Sequence, residues 1–168
     1  MNANYSPNPL KRYLPLLVVI GLAALGACAL QYPLEAANSH TWMHSFMGLF
    51  LLNFAMLKLF DLPGFADGFQ MYDLLAKQNR RYALAYPFIE LGLGLAYLSQ
   101  IWPPVTYLVT IVVMLFGASG VLKALRDGLN INCACMGTSL NVPLSTVAII
   151  EDLGMAIMAI FMLILYMA

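Results

Sequence analysis

The sequence predicts an all-α, polytopic membrane helix bundle, and three observations carry that expectation. Hydrophobic residues make up 62% of the 168 positions and charged residues only 10%, against about 25% charged in soluble domains. The mean hydropathy is +0.80. Apolar runs near residues 13–31, 42–60, 82–101, 104–123 and 144–167 each approach the roughly 20 residues a helix needs to cross the hydrocarbon core. Lipid offers no partner to backbone N–H and C=O groups, so each run must be helical and the five must pack together.

Taken in order, residues 1–12 read as a cytoplasmic tail rich in Asn and Pro and ending in Lys11 and Arg12. The run 13–31 follows. Its Leu25-Gly26-Ala27-Cys28 stretch resembles a lipoprotein signal peptide, but an uncleaved first helix is expected, with Cys28 packed near its outer end. After the second run, Phe65, Phe69, Tyr72 and Leu75 or Ala76 recur at helical spacing, predicting an amphipathic interfacial helix near 64–79. Pro103-Pro104 makes the next connection a tight outer turn, with Trp102 and Tyr107 as headgroup anchors. From Gly128 to Ser145 there is no charge, and the loop 128–143 reads as either a neutral surface loop or a re-entrant one. Pro143 with Ser145 or Thr146 then opens the last helix.

Lys11, Arg12, Lys58, Lys77, Arg80, Arg81, Lys123 and Arg126 fall on one side when the five runs alternate. The positive-inside rule then predicts a multi-pass protein with its N-terminus inside and its C-terminus outside, and the expected location is a bacterial inner (cytoplasmic) membrane. The 128–143 loop is cytoplasmic on this reading, where a stable structural disulfide is not expected.

Three groups of residues carry candidate chemistry. Cys133 and Cys135, one residue apart in Cys133-Ala134-Cys135-Met136-Gly137, can exchange electrons with a partner dithiol or share Cu(I), with Met136 assisting, because a thiolate is both nucleophile and soft ligand. His40, Met43, His44 and Met47 follow the i, i+3, i+4, i+7 pattern and line one face at the outer mouth of the second run. Imidazole and thioether together can hold copper. Glu90, Glu151, Asp152 and Asn53 reach similar depths from the cytoplasmic ends, with Lys58 about one turn closer to the cytoplasm, predicting an intramembrane polar cluster of these five residues. Three acids against one lysine leave negative charge that a proton or a visiting cation must balance. No dinucleotide-binding glycine pattern, phosphate loop, haem-attachment motif or serine triad occurs, so conventional soluble enzymology has no support.

Phe46-Met47-Gly48 through Lys58-Leu59-Phe60-Asp61 with Gly64-Phe65-Ala66-Asp67-Gly68-Phe69, then Tyr86-Pro87-Phe88-Ile89-Glu90-Leu91-Gly92, then Cys133-Ala134-Cys135-Met136-Gly137-Thr138 through Glu151-Asp152 form a set that resembles the MauE/DoxX-like redox-associated membrane proteins. The resemblance covers about residues 42–167. It implies a four-helix membrane core, to which 13–31 adds an extra N-terminal transmembrane helix. It also implies a thiol-redox accessory protein that helps mature a disulfide-rich partner. Similar domains are joined to glutaredoxin-like or heavy-metal-associated domains, which suggests a thiol- or metal-carrying protein partner besides the lipid bilayer. The pair here is Cys-x-Cys rather than Cys-x-x-Cys, so a Cu(I)-binding or transport role and a purely structural membrane subunit remain the alternatives.

Overall fold

A computed structural model describes residues 9–33, 38–127 and 144–167. Among these residues the regular secondary structure is all helix: α1 (Pro9–Leu30), α2 (Ser39–Phe60), α3 (Leu62–Phe69), α4 (Arg80–Ser99), α5 (Pro103–Arg126) and α6 (Leu144–Met167). Helices α1, α2, α5 and α6 are long and apolar enough to cross a membrane. Five such runs were expected. The difference is α4, whose 20 residues include Arg80, Arg81, Glu90 and three tyrosines that lower its hydropathy. At about 1.5 Å per residue it is still roughly 30 Å long.

Local sequence sets most of the helix ends. Asn38 caps α2 by accepting from the His40 N–H at 2.9 Å, Asp61 caps α3 through the Gly64 N–H at 3.0 Å, and Asn79 caps α4 through the Arg81 N–H at 3.0 Å. Helix α4 ends where Gln100 turns left-handed, at φ 53°. Trp102, also left-handed at φ 44°, precedes the two prolines that open α5.

The helices pack as two antiparallel pairs, α2 with α4 and α5 with α6, with α1 against α2 and α3 against α4. Two contacts fix the first alignment: His44 meets Tyr97 at one end, and Lys58 meets Glu90 at the other. Gly48 and Gly94 sit where α2 and α4 cross. A Cβ at either would lie 3.0 Å from the carbonyl oxygen of the other, so the absence of side chains is what lets the backbones approach. On the second pair, Asp152 lies against Gly117 and Tyr166 against Tyr107.

Two local expectations are revised. The amphipathic helix near 64–79 stops at Phe69, and turns follow. Its apolar face does not lie on lipid: Phe65, Ala66, Phe69, Tyr72 and Ala76 are buried in the bundle, with Phe69 stacked 4.7 Å from Tyr86. Tyr107 is no headgroup anchor either. Trp102 is exposed, whereas Tyr107 is fully buried.

Candidate functional site

At the end of the bundle reached by the C-terminus of α2, three ionisable side chains from three helices meet. Lys58, in the last turn of α2, donates from Nζ to Oε1 of Glu90 on α4 and to Oε1 of Glu151 on α6, the latter at 2.6 Å. All three are buried, with no more than 1% exposure. Around the ammonium stand the rings of Phe54 at 5.6 Å, Phe65 at 5.7 Å and Tyr86 at 5.3 Å from their centroids, close enough for their π-faces to attract it. Removing ionised groups from water costs several kcal/mol per ion, and the paired geometry offsets that cost. The pairing is incomplete, because Oε2 of Glu90 and Oε2 of Glu151 are buried without a hydrogen-bond partner.

Asp152 extends the site. A Cβ at Gly117 of α5 would lie 3.0 Å from its Oδ2 and 3.3 Å from the Tyr86 hydroxyl, so this glycine makes room for both polar ends beside the triad. Asn53 is only half-buried, unlike the three members of the triad.

Asp73, in the turns between α3 and α4, adds a fourth buried acid. Its Oδ1 accepts from the N–H groups of Leu75 and Ala76 at 2.9 and 2.8 Å, while Oδ2 is buried and unpartnered. Burial pushes its carboxyl above the ordinary value of 3.8, and the two backbone N–H groups and Lys77 only partly offset this. The folded state therefore binds the Asp73 proton more tightly than the unfolded state, so its contribution to stability is present below pH 3.8 and declines as pH rises through the folded value. Asp73→Asn keeps the capping oxygen and removes this dependence. Unfolding titrations from pH 4 upward should show the variant losing less stability than the parent as pH rises.

The opposite end holds His40 and His44. His44 is buried, its Nδ1 lies 3.2 Å from the Tyr97 carbonyl oxygen and its Nε2 lies 2.6 Å from the Tyr107 hydroxyl. A carbonyl can only accept, so Nδ1 carries the proton and Nε2 accepts from Tyr107. His40, half-buried, reaches the same hydroxyl from Nε2 at 3.3 Å. Both nitrogens of His44 are thus engaged by the protein, and Met47 is fully buried while Met43 is half-buried against the core. Among the described residues no group of three or more His, Cys, Asp or Glu is placed to hold a metal ion. Tyr107→Phe leaves the His44 Nε2 buried without a donor and should cost about 1–3 kcal/mol in an unfolding titration, with a shift in the His44 ring signals.

Cys133, Cys135 and Met136 lie outside the described residues. Their segment joins α5, ending at Arg126, to α6, starting at Leu144. Both helix ends lie at the triad's end of the bundle, and Glu151 is seven residues beyond Leu144, about 10 Å along the axis. Cys28, expected to pack, is exposed on α1 and its Sγ accepts from the Trp42 indole N–H at 3.3 Å.

Tyr86, Gly117 and Asp73 were not singled out as site residues in the sequence. Tyr86 carried a usable signal, being one helical turn before Glu90 and so on the same face. Asp73 and Gly117 carried none, since their proximity to the acids comes from packing between distant segments.

Residues 36–165 match the profile of the family described as Methylamine utilisation protein MauE. Neither a curated protein nor a solved structure matches the chain.

Proposed function

The chain belongs to the MauE family, and from that premise we propose that it is a membrane accessory protein of methylamine utilisation whose Cys133/Cys135 pair exchanges disulfides with a partner protein. One thiolate attacks a partner disulfide, forming a mixed disulfide and releasing one partner thiolate. The second cysteine attacks the mixed disulfide, so the pair becomes oxidised and the partner gains two electrons and leaves as a dithiol. Run in reverse, the same steps place a disulfide in the partner.

The observation that supports this reading is the anchoring of the cysteine-bearing segment by α5 and α6 at the end of the bundle that holds Lys58, Glu90 and Glu151. Thiol exchange moves protons as well as electrons, and buried ionisable groups in a membrane bundle mark proton and ion paths.

Cys133→Ser and Cys135→Ser test it. One of the two variants retains the attacking thiol without its resolving partner and should accumulate a mixed disulfide in membranes, seen on a non-reducing gel and identified by mass spectrometry of the linked peptides. The double variant should accumulate none. If neither single variant traps a partner, and the purified parent instead binds Cu(I) against a competing chelator in a manner both variants lose, the pair is a metal site and the exchange reading falls.

A further inference from the structure

We propose that the Glu90/Glu151 pair holds one proton at neutral pH, making this end of the bundle a built-in proton-binding site. Lys58 takes one oxygen from each carboxyl, and the remaining oxygen of each is buried with no partner. With both carboxyls ionised the triad would carry a net negative charge away from water, with a bare acceptor on each acid. One proton on either Oε2 neutralises the triad and supplies the missing donor.

The surroundings add negative rather than positive character. Asp152 on α6 faces the same region, with Tyr82 and Tyr86 on α4 and Asp73 from the connection before it. Helix α3 contributes the uncharged Phe65, and α5 contributes Gly117. Lys58 is buried, whereas Lys77, Arg80, Arg81, Lys123 and Arg126 are exposed. It already occupies the gap between the two acids, so the cation that fits is one that needs no room of its own.

Its use in thiol exchange rests on the proposed function; its existence does not. In that use the carboxyl O–H bond breaks as the S–H bond of the departing partner thiol forms. The pair is left fully ionised against Lys58 and is recharged from the aqueous side.

The test is infrared spectroscopy of the Cys133→Ser/Cys135→Ser double variant in detergent, so that failure of disulfide exchange leaves the measurement intact. A protonated-carboxyl C=O band, shifted in deuterated water, is expected at neutral pH. Adding Glu90→Gln or Glu151→Gln should abolish it, since one remaining carboxylate then balances Lys58 alone. Adding Lys58→Met should raise the band about twofold, because both carboxyls must then be neutral. A band that survives either glutamine substitution, or no band at all, overturns the proposal. So does a sodium- or potassium-dependent rise in melting temperature that both glutamine variants lose, which would put a metal cation where the proton is placed.

Discussion

Replacing Lys58 with alanine is expected to destabilise the protein by about 3–5 kcal/mol at neutral pH, the cost of removing one partner from a buried ionic cluster. Two carboxyls, Glu90 and Glu151, lose their common donor at once, and the buried side chain whose ammonium faces Phe54, Phe65 and Tyr86 is lost with it. Lys58→Met keeps most of that apolar volume, so its deficit should be clearly smaller. Denaturing-detergent titration measures both. Were the alanine variant as stable as the parent at neutral pH, the triad would not be holding α2, α4 and α6 together.

Gly94→Val should cost about 3 kcal/mol, near the upper end of ordinary overpacking. Its Cβ would sit 2.9 Å from Leu52 Cγ and 3.0 Å from the Gly48 carbonyl oxygen. The leucine can turn aside, but the backbone oxygen moves only if α2 and α4 separate. Glu90 lies one turn from Gly94 on the same face, so separation also draws its carboxylate from Lys58. Gly94→Ala meets the same oxygen with a single methyl and should lose roughly a third as much. Unfolding of the two variants alongside the parent checks the order; equal stability in all three would place the tight crossing elsewhere.

These two sites differ in how far they can be read from residues alone. Lys58, Glu90 and Glu151 are conspicuous because charge inside an apolar run is costly and must be compensated. That Lys58 reaches both acids, across 32 and 93 residues of chain, is a matter of helix pairing. Gly48 and Gly94 belong to a chain with 12 glycines, and nothing local marks these two as the crossing. Tyr107 shows the reverse error. Its position beside Pro103-Pro104 suggests an interfacial ring, yet it turns inward because His44, 63 residues away, offers Nε2 as an acceptor.

The sequence by itself determined that the chain is helical and membrane-bound, where its five long helices run, and that a lysine and several acids had to find one another. Those properties follow from composition, capping residues and the cost of charge in lipid, each of which acts locally. Only the tertiary structure decided that Lys58 joins two carboxyls while two of their oxygens stay bare, that Tyr86 and Asp152 share the space Gly117 opens, and that α3 turns its aromatic face into the bundle. Such contacts depend on the register between helices far apart in the chain, which is set by how small residues let backbones approach and by which buried polar groups can satisfy one another.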